Sequence, residues 1–257
     1  MTRNTRILMS ILYWAFVIYL FVPLTMMVLM GFKDSKFIGF PIRSWTLNWY
    51  TLVFQDMEVL SIFGYSMIIA LSSTAIALMI GTWAGILLGP TKFRGKLIVF
   101  ALVCLPAVIP GIISAIALRI FAETISLSPG TFAVILSHTI HNVPFVVLVV
   151  MARLNSQPDS HIDAAKDLGA DNLIAFYRVT LPYLKPALIG ASIFCMLISF
   201  DDFVRSFFLG GYEPTLPVYI FSQLRTGMSP MINAVSAVAL LITVIFGLMA
   251  ERIIRSN

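Results

Sequence analysis

The sequence predicts an all-α integral membrane protein with about six transmembrane helices, on the strength of three observations. Hydrophobic residues make up 59% of the 257 residues, charged residues only 11%, and the mean hydropathy is +0.95. A soluble domain would have roughly 25% charged residues. Six apolar runs are each about 20 residues or longer, the length that a helix needs to cross a bilayer. A polar segment at 152–186 separates the fourth run from the fifth.

The composition also limits the classes of function. We expect one transmembrane domain over 1–257 with the lipid bilayer around it, because the short loops leave no room for a second globular domain. The net charge of +5 comes without a basic cluster of interleaved aromatic residues, so we predict no nucleic-acid partner. Cys104 and Cys195 both lie in apolar runs, where they act as small hydrophobic residues. We predict no cofactor, no metal site and no catalytic residue.

The third apolar run differs from the others because it is interrupted. The six predicted spans are 7–30, 60–88, 97–121, 131–151, 187–208 and 231–254. Pro106, Pro110 and Gly111 interrupt the third span, and the backbone groups they leave unpaired must be satisfied by neighbouring helices or by a water-filled cavity. Such a break is typical of a transport path.

The distribution of basic residues predicts the orientation. An even number of spans puts both termini on one side of the membrane, and 11 of the 17 Lys and Arg residues fall on that side. Because cytoplasmic loops carry the excess of Lys and Arg, we expect both termini and the segment 152–186 to be cytoplasmic.

The polar segment has the signals of two short helices. Ser160 and Asp163 predict an N-terminal cap, and Gly169 predicts a left-handed helix end. Asp171 predicts the cap of a second helix, and Leu181-Pro182 predicts a turn away from it. From these residues alone, the segment is either a solvated loop or a docking element whose apolar residues fit a protein groove. The residues that share the apolar face are Leu173, Phe176, Tyr177 and Thr180, with Leu168 nearby.

This segment resembles the cytoplasmic loop of permease subunits from bacterial ATP-binding-cassette (ABC) importers. The match covers Ala164-Ala165, Gly169-Ala170, Phe176 and Leu181-Pro182, while Asp163 stands where that motif usually has Glu. The resemblance implies that the loop couples the permease to an ATPase subunit. It also implies a bacterial cytoplasmic (inner) membrane and no enzymatic activity in this chain. The implied partners are a second permease subunit, two ATP-binding subunits and an extracytoplasmic substrate-binding protein.

Two adjacent carboxylates lie in the fifth span. Because adjacent residues on a helix point about 100° apart, we do not expect Asp201 and Asp202 both to serve the same ligand. One interpretation is that they line the path of a cationic substrate, with Phe200 and Phe203 offering ring faces to an ammonium group. The other is that one carboxylate pairs with Arg205 or with a partner helix.

Two histidines lie three residues apart in the fourth span. His138 and His141 have a spacing that metal ligands can use, but no third ligand accompanies them, so we predict structural hydrogen bonds within the helix bundle. Near the end of the third span, Arg119 and Glu123 are one helical turn apart and are predicted to pair.

A wider resemblance concerns the substrate. Asp201-Asp202, the run 164–170, Ser137-His138 and 144–147 look like those of permease subunits of spermidine/putrescine importers. This resemblance implies import of small cationic solutes. The alternatives are a permease for another small organic solute, such as a phosphonate, sugar or opine-like compound, or an ion-coupled secondary transporter, although no inverted repeat is evident.

Overall fold

The computed structural model describes residues 3–35, 39, 41–91, 93–227 and 229–255. Lys36 and Lys92, which contribute to the predicted charge distribution, lie outside these ranges. Within them the regular secondary structure is helical, and one isolated bridge joins Lys33 and Trp45. The helices are α1 (Arg3–Met30), α2 (Asn48–Gln55), α3 (Met57–Leu88), α4 (Lys96–Val108), α5 (Gly111–Thr124), α6 (Thr131–Asn155), α7 (Asp159–Asp167), α8 (Asn172–Ala175), α9 (Leu181–Phe200), α10 (Phe203–Leu209), α11 (Leu216–Thr226) and α12 (Pro230–Arg255).

The described part of the chain confirms the predicted fold class. Five helical stretches are long and apolar enough to cross a membrane: Asn4–Met30, Met57–Leu88, Thr131–Asn155, Asn172–Phe200 and Pro230–Met249. The pair α4 and α5 supplies a sixth span if it is counted as one, with a bend of 107° between the two helices. The predicted interruption of the third span is therefore a sharp break. Pro110 stands at it in an extended conformation, with ψ 135°.

The boundaries of the fourth and fifth spans differ from the prediction. The fourth extends to Asn155, and the fifth begins near Asn172 and ends at Phe200. The predicted turn at Leu181-Pro182 is wrong, because a five-residue π-helix at Phe176–Thr180 connects α8 directly to α9. Proline is tolerated in the first turn of a helix, where its missing N–H has no intrahelical partner.

Contacts divide the chain into two compact units. One contains the residues up to Ser61 together with Ile220–Ile242, and the other contains Ile62–Tyr219 together with the residues from Thr243 onward. In the first unit, the Trp49 ring nitrogen donates to the Lys33 carbonyl at 2.9 Å, and the rings of Phe32 and Tyr50 lie 4.6 Å apart. These contacts hold the connection between α1 and α2.

In the second unit, α6 is the central helix. One buried cluster joins it to α3 and α9, and another joins it to α3, α5 and α10. Along α3, a Cβ atom at Gly81 would lie 2.6 Å from the Val146 side chain, and one at Gly85 would lie 2.7 Å from the Val150 side chain. Glycine at these positions therefore allows α3 to approach α6 closely, as small residues do in membrane helices. The four-residue spacing of Gly81, Gly85 and Gly89 was a signal for this contact that sequence reasoning missed.

Candidate functional site

The end of α7 explains the spacing of the small residues in the polar segment. The Ala170 N–H donates to the Ala165 carbonyl at 3.0 Å, and the Gly169 N–H donates to the Lys166 carbonyl at 2.8 Å. Gly169 has φ +84°, which confirms the predicted left-handed helix end. These are the two hydrogen bonds of a Schellman motif, which closes a helix with glycine in this conformation. The motif makes Ala165, Gly169 and Ala170 a rigid corner between α7 and α8.

The two predicted helix caps have different outcomes. At α8 the prediction is confirmed, because the Asp171 side chain accepts a hydrogen bond from the Ile174 N–H at 2.7 Å. At α7 the predicted capping by Ser160 is wrong. The helix begins earlier, after Pro158, and has no side-chain cap. Asp163 is consequently an exposed residue within α7.

Apolar side chains protrude around this corner. Leu168 is 89% exposed and Leu173 68%, and Ile174 and Tyr177 are also exposed. Of these, Leu168 and Ile174 line a shallow groove of about 390 Å³ between α7 and the segment formed by α8 and the π-helix. Its lining consists of Ala165, Leu168, Gly169, Ala170, Ile174, Ala175, Arg178 and Val179. Exposed leucines on a polar, charged segment form a surface suited to protein contact.

Phe176 has a different role from its exposed neighbours. Its ring stacks on Trp83 of α3 with centroids 5.7 Å apart and an interplanar angle of 23°. The predicted common face with Leu173 and Tyr177 is therefore divided, with Phe176 packed against the bundle and the other two side chains outward. Leu181 and Pro182 line a second groove of about 580 Å³, together with Leu78, Tyr177, Lys185, Leu188, Ile189 and Ser192.

Arg153 joins the two ends of the polar segment, a contact that sequence reasoning missed. Its Nε donates to the Tyr183 carbonyl at 3.0 Å, and its guanidinium lies 4.0 Å from the centre of the Tyr183 ring. The end of α6 is thus attached to the start of α9. The only signal in the sequence was an arginine at the end of an apolar span.

The two adjacent carboxylates lie at a second helix break. The prediction of one continuous helix through them is wrong, because α9 ends at Phe200 and α10 begins at Phe203. The Asp202 side chain caps α10 by accepting the Arg205 N–H at 3.0 Å, and its other oxygen accepts from Arg205 Nη1 at 2.5 Å. Both side chains are more than 90% buried. Aspartate is among the strongest N-cap residues, which favours a new helix start here. The structural interpretation, a pair with Arg205, is confirmed for Asp202.

Asp201 has different surroundings from Asp202. It is exposed, and among the described residues its carboxylate forms no ion pair. Phe200 beside it is buried, whereas Phe203 is half-buried with its ring 5.3 Å from that of Phe207. The four residues predicted to line a path therefore do not form one surface. Asp201 is the carboxylate that remains accessible to a ligand.

The two histidines of α6 hydrogen-bond as predicted. His138 Nδ1 lies 2.6 Å from Ser199 Oγ, and Ser206 Oγ lies 3.3 Å from His138 Nε2. Arg205 Nη2 lies 2.8 Å from His141 Nδ1. The described residues contain no group of three or more His, Cys, Asp or Glu side chains that could hold a metal ion. The predicted pair of Arg119 and Glu123 is also confirmed, at 2.8 Å.

Residues 81–256 match the protein family described as binding-protein-dependent transport system inner membrane component. The spermidine/putrescine transport system permease protein PotC of Escherichia coli is 30% identical over 241 residues, which cover 93% of this chain and 90% of that protein. PotC of Haemophilus influenzae is 29% identical, with 93% of each chain covered. The putrescine transport system permease protein PotI of Escherichia coli is 30% identical over 230 residues, covering 86% of this chain and 82% of that protein.

Solved structures of ABC transporters share the fold. A chain of a bacterial ABC transporter involved in the import of the acidic polysaccharide alginate superposes with a TM-score of 0.73 at 16% identity, with 98% of both chains covered. A chain of the inward-facing MetNI methionine ABC transporter superposes with a TM-score of 0.67 at 21% identity, covering 77% of this chain and 94% of that chain. The chain therefore belongs to the family of binding-protein-dependent transport system inner membrane components, and the relatives it matches are permease proteins of transport systems.

Proposed function

We propose that the chain is the permease subunit of an ATP-driven importer of small cationic solutes, with the polyamines spermidine and putrescine as its substrates. The observation that carries this proposal is the similarity of about 30% identity, along most of the chain, to permeases named for spermidine and putrescine transport. An exposed carboxylate at the interruption of an apolar span supports a cationic substrate, because an ammonium group compensates a charge that the membrane disfavours.

We propose that Asp201 attracts the substrate. We propose that Asp202 stabilises the helix break at which Asp201 is exposed. Asp202 is already neutralised by Arg205, so it has little attraction left for a second cation. The ring of Phe203 lies on the next helix and could offer its face to the ammonium group. Phe200 is buried and on this proposal supports the end of α9.

The surface around Gly169 is proposed to dock onto an ATP-binding subunit. The exposed Leu168, Leu173 and Tyr177 supply apolar area, and the rigid corner at Gly169 fixes their arrangement before contact. ATP binding drives transport only if it favours one conformation of the permease over another. The stacking of Phe176 on Trp83 and the contact of Arg153 with Tyr183 would carry the movement of the docked segment to the spans.

The complete transporter is proposed to contain this chain as one transmembrane domain, a second permease subunit, two ATP-binding subunits and an extracytoplasmic substrate-binding protein. A related fold is known in complex with a periplasmic protein bound to an alginate pentasaccharide, so a binding protein can meet such a permease. In the most apolar part of α1, no residue is buried against the described part of the chain, which suits contact with lipid or the second permease. The excess of basic residues places both termini in the cytoplasm.

Uptake of labelled spermidine by proteoliposomes that contain the assembled complex tests this function. We expect uptake that requires ATP and falls at least about tenfold in Asp201→Asn, because the variant removes the negative charge that attracts the cationic substrate. Asp201→Glu keeps the charge and serves as the matched control, with uptake close to wild type. The complex could instead show ATP-dependent uptake of a sugar or phosphonate that Asp201→Asn does not change. That result would leave the function as a permease in place and reject polyamines as the substrate.

A further inference from the structure

Two of the spans are broken, and one helix contacts both breaks. The break between α4 and α5 is at Ile109-Pro110, and the break between α9 and α10 is at Asp201-Asp202. Helix α6 presents His138 and His141, one turn apart, between them. Each histidine makes hydrogen bonds at a break, and these bonds are not needed to form α6 itself.

The first break leaves a backbone acceptor without its helical donor. Pro110 has no N–H, so the carbonyl four residues earlier, that of Pro106, receives no intrahelical hydrogen bond. The Pro106 backbone lies beside the His141 ring. The guanidinium of Arg205, which His141 contacts, lies beside Gly111, the first residue of α5. His141 is therefore placed at the groups that the break exposes.

The second break is held through Arg205. Arginine has only donors, so Arg205 Nη2 must donate to His141 Nδ1 across their 2.8 Å separation. His141 is then the neutral tautomer with its proton on Nε2, the form that can donate to the Pro106 carbonyl. The same guanidinium donates to Asp202 through Nη1. A continuous path of hydrogen bonds thus runs from Asp202 through Arg205 to His141, whose ring lies beside Pro106 at the first break.

His138 holds the second break from both sides. Its Nδ1 contacts Ser199 in the last turn of α9, and its Nε2 contacts Ser206 in α10. Ser199 Oγ is in turn 2.9 Å from Ser73 Oγ of α3. All four side chains are buried. His138 fixes the geometry within the second break, whereas His141 connects that break to the first.

One group in this network is left unsatisfied. Arg205 Nε is buried and has no hydrogen-bond partner in the part of the chain that the structure describes. The great majority of buried polar groups in proteins have a hydrogen-bond partner. The unpaired N–H of Arg205 therefore indicates that another conformation could provide it with a partner. A Cβ at Gly111, the first residue of α5, would lie 4.0 Å from Arg205 Nη2, which places the guanidinium directly at the first break.

We propose that His141 is a positioning residue for transport, which ties the break in α4–α5 to the break in α9–α10 so that the two broken spans change conformation together. The link consists of the charge-assisted hydrogen bond from Arg205 to His141, which holds the guanidinium beside Gly111 and the His141 ring beside Pro106 at the first break. Replacing either contact would let one break move without the other. This inference rests on the proposed ATP-driven cycle but not on the identity of the transported solute.

The first test compares three variants in the assembled transporter. His141→Leu removes the hydrogen bond to Arg205 and the polar group beside Pro106, and His141→Gln keeps one donor and one acceptor. Asn142→Leu is the matched control, since Asn142 is also buried on α6 and donates to the Cys195 carbonyl at 3.3 Å, away from both breaks.

We expect His141→Leu to lower spermidine uptake per ATP hydrolysed at least about tenfold, with His141→Gln recovering most of it. Asn142→Leu should keep the wild-type ratio. Equal ratios for His141→Leu and wild type, or equal losses in His141→Leu and Asn142→Leu, would overturn the proposal.

A second measurement uses the wild-type complex and does not depend on any variant assembling or on which solute is transported. The chain has three histidines, so solid-state NMR of ¹⁵N-histidine-labelled chain in the complex can resolve their ring nitrogens. Without nucleotide, His141 should show a hydrogen-bonded, unprotonated Nδ1 and a protonated Nε2. Trapping the complex with ATP should change the His141 Nδ1 signal. Identical His141 signals in both states would overturn the proposal, whereas absent spermidine uptake with a nucleotide-dependent His141 signal would reject only the polyamine substrate.

Discussion

Asp201 and Asp202 show how strongly the role of a side chain depends on its immediate partners. Both are aspartates in an apolar context, yet Asp202 accepts two hydrogen bonds from Arg205 and is buried with it, while Asp201 is exposed. Removing one member of a buried ion pair leaves the other charge uncompensated. The stability of the chain should therefore respond to only one of these two carboxylates.

We expect Asp202→Asn to destabilise the protein by about 3 kcal/mol or more, because it leaves Arg205 without its counter-ion in a buried site. Asp201→Asn makes the same change of charge and should leave the stability nearly unchanged. Thermal unfolding of the detergent-purified complex, followed by scanning fluorimetry, measures both. A similar loss of stability in the two variants would show that Asp201 is also part of the structural network.

At the scale of elements, the glycines of α3 determine how closely it packs on α6. Substituting Gly85 by Ala should destabilise the protein by about 1–3 kcal/mol, because the new Cβ overlaps the Val150 side chain. Gly64→Ala is the control on the same helix, since a Cβ at Gly64 has no atom within 4 Å among the described residues. The double variant Gly85→Ala with Val150→Ala should recover part of the loss in the same unfolding assay. A Gly85→Ala protein as stable as Gly64→Ala would contradict the close approach of α3 and α6.

The corner between α7 and α8 is the element proposed to couple ATP hydrolysis to transport. Gly169→Pro removes an N–H that closes α7 and forces φ to about −65°, so it should open the corner. We expect the variant complex to insert and hydrolyse ATP while importing little solute per ATP. Gly169→Asn is the control, because asparagine tolerates the left-handed conformation. The measurement is the ratio of uptake to ATP hydrolysis in proteoliposomes, and normal uptake by an assembled Gly169→Pro complex would count against the coupling role.

At the scale of the whole molecule, the orientation in the membrane can be tested with single cysteines. In a Cys104→Ala, Cys195→Ala background, Tyr212→Cys and Ser156→Cys place exposed thiols in the two loops that flank α9 and α10. The positive-inside rule predicts that a membrane-impermeant maleimide labels position 212 from outside the inner membrane, and position 156 only from the cytoplasmic side. Labelling of both positions from the same side would mean that 156–212 does not cross the membrane as proposed.

The sequence by itself determined the membrane class, the number of spans and the position of the polar segment, since these depend on composition and on lengths of apolar residues. It also determined local features that depend on near neighbours, such as the left-handed end at Gly169 and the cap at Asp171. Both features require only a few consecutive residues to adopt fixed dihedral angles, so a local pattern is sufficient to predict them.

Only the tertiary structure decided which of two adjacent carboxylates is buried, because that depends on where the helix breaks and on partners far away in sequence. The same holds for the contact of Phe176 with Trp83 and for the hydrogen bond between His141 and Arg205, which are 64 residues apart. An apolar run of the required length predicts a helix but not an interruption within it. The interruption between α9 and α10 is stable here because α6 supplies hydrogen bonds to Ser199, Arg205 and Ser206, and these bonds exist only once the helices have packed together.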